Sequence, residues 1–173
     1  FYEEMKPHKT LISFHGWGSH HREMDRYCLP TVENLNFLYF TMDSFGLGMT
    51  PGNKNDFNQF SHAKDFIDTV ISSPFVDKSQ IAVVGMSLGG AKTGYAAYPH
   101  PNVRAVLMLS SPFDLTLTKE NMTTAEYLIF RIFGFSFNVS PAKMKEYSAI
   151  HHFKSEGIVL DGNTKPTPNQ DRV

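Results

Sequence analysis

With 173 residues, 41% apolar and 19% charged, the chain has the make-up of one globular domain with a sizeable core. A net charge of -1 with scattered Lys and Arg excludes the basic stripe of a nucleic-acid binder and the basic amphipathic helix of a membrane-surface protein. The single cysteine, Cys28, excludes an internal disulfide framework and a C-x-x-C metal site, and no run reaches the roughly 18 apolar residues of a membrane span. A lone thiol fits a reducing compartment, so an intracellular location, cytoplasmic or organellar, is expected.

In chain order, the first element is "TLISF", residues 10–14, a short apolar run closed by His15-Gly16. The second is "FLYFTM", 37–42, closed by Asp43 and the turn Gly46-Leu47-Gly48. Both read as strands buried on two faces. Phe57, Phe60, Ala63, Phe66, Ile67, Val70 and Ile71 then recur at helical spacing, with Asp56 at the helix start. "IAVVG", 81–85, predicts a third strand. Leu88, Ala91, Tyr95 and Tyr98 predict a second helix, ended by Pro99-His100-Pro101. "AVLMLS", 105–110, is a fourth strand and "GIVLDG", 157–162, a candidate fifth. Strands alternating with helices predict an α/β class, a mostly parallel doubly wound sheet with right-handed crossovers. One segment breaks the alternation: a helical cap insertion over 118–150 is expected after the strand at 105–109. Within it, residues 127–135 are apolar almost all round, which predicts a core helix, a cover over a cleft, or a docking surface for a protein partner.

The chemistry concentrates at "GMSLGG", residues 85–90, where G-x-S-x-G lies between a predicted strand and a predicted helix. A serine on such a turn needs small neighbours. Gly85 and Gly89 remove side chains that would strike the backbone, and Gly90 lets the helix approach the sheet. The helix N-terminus behind Ser87 favours developing negative charge. "SFHGWGS", 13–19, follows the first strand. His15 reads as a shaper of that loop. "YFTMDSFGLG", 39–48, adds a D-x-x-G-x-G segment after the second strand.

These three motifs, in this order and spacing over about residues 9–114, resemble the α/β-hydrolase family of esterases, lipases and thioesterases. The resemblance implies a nucleophile, an acid and a histidine in that chain order, an oxyanion hole made by the backbone N–H groups of Trp17, in the turn after the first strand, and of Leu88, and no cofactor or metal. Only the nucleophile carries over cleanly, onto Ser87. The acid stays open. Lys165 occupies the place where the family pattern has the acid, Asp161 and Asp171 are off register, and Asp114 follows the fourth strand at a position some members use. A turn or N-cap role competes for Asp114. The histidine is open too, since none follows His152. His20-His21 and His151-His152 read as surface pairs, and His62 and His100 lie on or after helices. Residues 1–173 are therefore expected to form a single α/β-hydrolase-like domain, incomplete at its C-terminus. Two functions compete: a serine hydrolase of small-molecule esters or thioesters acting through an acyl-enzyme on Ser87, and an inactive scaffold or binding subunit of the same fold.

Overall fold

In a computed structural model of the chain, the structure describes residues 6–116, 123, 124 and 140–155. Four strands, β1 (His8–Phe14), β2 (Leu38–Met42), β3 (Val76–Met86) and β4 (Val103–Leu109), form one sheet in the order β2-β1-β3-β4. Every pairing is parallel: Phe14 sits opposite Met42 on one side and Gly85 on the other, and Val84 opposite Leu107. All four predicted strands exist, β3 beginning five residues before the apolar run at 81–85. The candidate strand at 157–162 lies outside the described residues.

Helices cover both faces, because alternate residues of each strand point to opposite sides. On one face Ile12, Phe14, Ile81 and Val83 pack against Ala63, Ile67, Val70 and Ile71 of α2 (Gln59–Ser72). That side also carries α3 (Leu88–Ala96), so buried that Leu88 through Gly94 are all in the core. On the other face Leu11, Tyr39 and Val84 meet Met24, Cys28 and Val32 of α1 (His21–Leu35). α1 is not among the elements that periodicity predicts. Its apolar stripe is only three residues wide at i, i+4 and i+8, and Pro30 stands inside it. Pro30 is exposed, so the carbonyl its missing N–H leaves free faces the wet side. Asn36, in left-handed conformation at φ 53°, ends the helix.

One boundary and one burial pattern differ from expectation. α2 begins at Gln59, with Asn58 at its N-cap. Asp56 instead accepts the Asn58 N–H at 2.8 Å, making the turn that leads in. Burial on both faces holds only for the inner strands. In the described sheet β2 and β4 are outermost, every residue of β2 is half-buried, and Leu107 on β4 is exposed.

Of the expected cap over 118–150, the described residues are 123, 124 and 140–150, which hold the helix α4 (Pro141–Tyr147) and the first two residues of α5 (Ala149–Ser155). Ser140 caps α4 through its hydroxyl, and Pro141 takes the first helical position. Met144 and Tyr147 of α4 close a cluster with Phe60, Leu88, Ala91 and Leu115. The Tyr147 ring stacks on Phe60 at 4.7 Å between centroids. The apolar segment 127–135 lies outside the described residues.

Candidate active site

The strand order reverses between β1 and β3. The crossover from β1 runs to β2 on one side, and that from β3 runs to β4 on the other. The loops leaving the carboxyl ends of β1 and β3 therefore diverge, and this is the crevice where open α/β sheets bind ligands. Gly16 and Trp17 follow β1, and Ser87 follows β3.

Ser87 has φ 52° and ψ -121°, a conformation that a residue with a Cβ adopts only at a cost of about 1–3 kcal/mol. Three contacts hold it there. Its N–H donates to the Leu109 carbonyl at 2.8 Å, tying the turn to the end of β4. Its carbonyl accepts from the N–H groups of Gly90 and Ala91 at 3.0 and 3.2 Å. The glycines supply the space. A Cβ on Gly85 would strike the backbone of Gly89, one on Gly89 would strike the Phe14 carbonyl, and one on Gly90 would strike the Ser111 side chain. The Ser87 side chain itself is exposed.

The turn after β1 closes on Ser87. A Cβ at Gly16 would stand 3.5 Å from the Ser87 Cβ and 3.7 Å from Glu23 Oε2. The Gly16 N–H donates to that carboxylate at 3.4 Å. Trp17 is half-buried against the cluster containing Leu88, with the Lys54 ammonium 4.9 Å from its ring centroid. Leu88 is the first residue of α3, so its N–H has no carbonyl partner within the helix. The structure thus brings Ser87, Leu88 and the Gly16-Trp17 turn together.

His15 is in the core, 1% exposed. Its Nε2 accepts the Ser44 N–H at 2.9 Å, so the ring proton is on Nδ1, which donates to the Gly16 carbonyl at 2.7 Å. Both nitrogens are spent on the loop. Burial, helped by the Lys92 charge, pushes the imidazole down to about 4. The unfolded ring binds its proton near 6.5 and the folded ring only near 4, so folding stability falls as pH drops through that interval, by about 3 kcal/mol in total. Denaturant unfolding at pH 7 and pH 4 measures this, and His15→Gln should lose that part of the slope. Equal slopes in the two proteins would contradict it.

Asp43 spans from β2 to the start of α1. Its carboxylate accepts the His21 backbone N–H at 2.7 Å and the His21 ring nitrogen at 3.0 Å, with the Met49 N–H at 3.3 Å. Burial opposes its ionisation, but these donors outweigh burial and hold the carboxyl below its ordinary range. It does the capping that His20, at the N-cap of α1, does not. Gly48 is required because a Cβ there would enter the Asp43 carboxylate. The D-x-x-G-x-G segment is thereby a clasp for α1.

Asp114 accepts from the Thr116 N–H at 2.9 Å and from the Thr116 and Ser148 hydroxyls, joining the turn after β4 to the segment between α4 and α5. The remaining histidines are spread over the molecule. His100 meets Asp68 at 2.9 Å, His62 packs edge-on to Phe45, and His152 lies against Tyr95 and the Glu146 carbonyl. Among the described residues no histidine is hydrogen-bonded to the Ser87 hydroxyl. Asp161, Lys165 and Asp171 lie outside the described residues. No motif marks Lys92 in the sequence, although it shares the i, i+4, i+8 stripe of Leu88 and Ala96.

The family model of serine aminopeptidase, S33 matches residues 5–149. Among solved structures, an esterase from Pyrobaculum calidifontis superposes with TM-score 0.64 at 17% identity, covering 84% of this chain and 53% of that one. Acetyl xylan esterase 1 from Thermoanaerobacterium sp. gives 0.55 at 21% identity, covering 84% and 54%. Est1E from Butyrivibrio proteoclasticus, with ferulic acid bound, gives 0.57 at 21% identity, covering 70% and 50%. The chain spans about half the length of these structures. The likeness at such identities is one of fold.

Proposed function

Because the chain belongs to the serine aminopeptidase, S33 family, we propose that it is the nucleophile-bearing part of a hydrolase of small-molecule carboxylic esters or thioesters. The observation that carries this is Ser87, exposed and held at positive φ between β3 and α3. The Ser87 oxygen adds to the acyl carbon as its proton passes to a general base, which later hands it to the leaving group, and the carbonyl oxygen becomes an oxyanion. The backbone N–H groups of Trp17 and Leu88 receive it. Collapse expels the alcohol or thiol with a proton and leaves the acyl group on Ser87; water then adds and releases the acid. The proton relay needs a base that His15, with both nitrogens engaged, does not supply. That three of the similar structures are esterases supports the ester class.

The second reading is a binding or scaffold subunit of the same fold. It is favoured by the lack, among the described residues, of a histidine bonded to Ser87. A fluorophosphonate probe on the full natural polypeptide decides between the two. Covalent labelling mapped to Ser87, with turnover of a p-nitrophenyl ester, is the expected result. Absence of both would overturn the hydrolase reading and leave the subunit reading.

A further inference from the structure

Behind the site lies a buried polar relay that joins four elements. The Lys92 ammonium on α3 donates to the Ser44 hydroxyl at 2.6 Å and to the Gln59 amide oxygen of α2 at 3.4 Å. The Ser44 N–H, after β2, donates to His15 Nε2 at 2.9 Å, and His15 Nδ1 donates to the Gly16 carbonyl at 2.7 Å. Lys92, Ser44, Gln59 and His15 are each at most 3% exposed. The relay ends on one particular peptide unit: the carbonyl is that of Gly16 and the N–H is that of Trp17.

A lysine is a costly choice here. Side-chain entropy and the desolvation of an ammonium both count against it, and a Met or Leu of similar volume would fill the same core space more cheaply. The groups facing it are His15 from the turn after β1, Ser44 from the turn after β2 and Gln59 from α2. The nearby carboxylates are turned elsewhere, Asp43 to His21 and Met49, and Glu23 to Gly16. Substrate cannot reach the Lys92–Ser44 pair at this burial, so the pair acts through position.

We propose that Lys92 is a positioning residue for hydrolysis, holding the Gly16–Trp17 peptide in place through Ser44 and His15. This rests on the hydrolase reading of Ser87 given above. The carbonyl end of that peptide is gripped by His15, which fixes the plane in which the Trp17 N–H lies. A donor on the carbonyl also polarises the peptide and strengthens its N–H as a donor. Burial pushes the Lys92 ammonium down to about 7. Neutral or charged, it keeps enough N–H groups for both of its acceptors.

Two variants of the full natural polypeptide test this: Lys92→Met, which keeps the volume, and Ser44→Ala, which removes the Lys92–Ser44 bond from its other end, keeps the backbone N–H that His15 accepts and leaves Lys92 with Gln59. Each should lower kcat for a p-nitrophenyl ester by about 10- to 100-fold with KM within about twofold, the pattern of a misplaced oxyanion donor. The second readout needs no activity. Trp17 is the one tryptophan of the chain, so tryptophan-selective ¹⁵N labelling reports its backbone amide. That amide should shift and exchange at least about tenfold faster in both variants. Should Lys92→Met fail to fold, Ser44→Ala carries the decision. A kcat within about twofold of wild type, or an unmoved Trp17 amide, would overturn the proposal. If the wild-type protein shows no hydrolysis, the hydrolase reading has failed by itself. The amide then decides alone whether Lys92 holds the turn.

Discussion

Ser87→Ala should lower kcat/KM for an ester by at least about a thousandfold, the scale seen when a nucleophile is removed. The fold should not notice. Alanine keeps the Cβ, and the contacts that hold residue 87 are backbone contacts: its N–H on Leu109 and its carbonyl on Gly90 and Ala91. The side chain is exposed, so no cavity opens. Stability measured by denaturant should therefore stay within about 0.5 kcal/mol of wild type, as for surface changes in general. Ser87→Gly separates strain from chemistry. At φ 52° and ψ -121° only glycine is at ease, so this variant should be equally inactive yet more stable by about 1 kcal/mol. An alanine variant that keeps most of its activity would remove Ser87 from the mechanism. A glycine variant no more stable than wild type would show that the turn stores no strain.

The serine turn was legible because its requirements are local. A sharp turn between strand and helix needs small residues at fixed offsets, and Gly85, Gly89 and Gly90 each stand where a Cβ would strike a neighbour. The four strands were legible because each is a compact apolar run. α1 was not, because Met24, Cys28 and Val32 alone face the sheet and Pro30 interrupts the pattern. The relay from Lys92 was out of reach for a different reason. Its members come from residues 15, 44, 59 and 92, and only the folding of four elements onto one sheet edge makes them neighbours. The same holds for the Asp43 clasp on α1. The motif marked the aspartate, but its partner at the His21 N–H lies on a helix the periodicity did not reveal.

The motifs were read as catalytic machinery, and part of what they encode is the geometry beneath it. In sequence His15 reads as a shaper of the loop after β1, and Asp43 as the head of a D-x-x-G-x-G segment. In the fold each is committed to a loop: His15 to the Gly16 carbonyl and the Ser44 N–H, Asp43 to the head of α1. The turns that leave β1 and β2 are thereby fixed, and the Gly16-Trp17 segment is held against Ser87 from behind. A hydrolytic site that relies on two backbone donors gains from such support, since a donor displaced by a fraction of an ångström no longer matches the developing charge.

Gly89→Ala should cost at least about 3 kcal/mol, near the upper end for overpacking, and lower the melting temperature by about 6–12 °C for a chain of this size. The cause is space rather than conformation. Gly89 has no positive φ, whereas Gly18 has φ 77° and nothing within 4 Å of where its Cβ would lie. Gly18→Ala should therefore cost only the left-handed penalty of about 1 kcal/mol. At Gly89 the added methyl would run into the carbonyl groups of Phe14 and His15. Those atoms cannot swing aside as a side chain tip can. Phe14 is locked between Met42 and Gly85 in the sheet, and His15 is anchored on Ser44 and Gly16. The helix must yield instead, so the start of α3 backs away from β1, taking Leu88 and Ser87 with it. Activity and labelling at Ser87 should thus fall together in Gly89→Ala while Gly18→Ala, though strained, is hurt far less. A Gly89→Ala protein that melts like wild type and still reacts at Ser87 would mean that the close approach of α3 to the end of β1 is not what sets the serine in place.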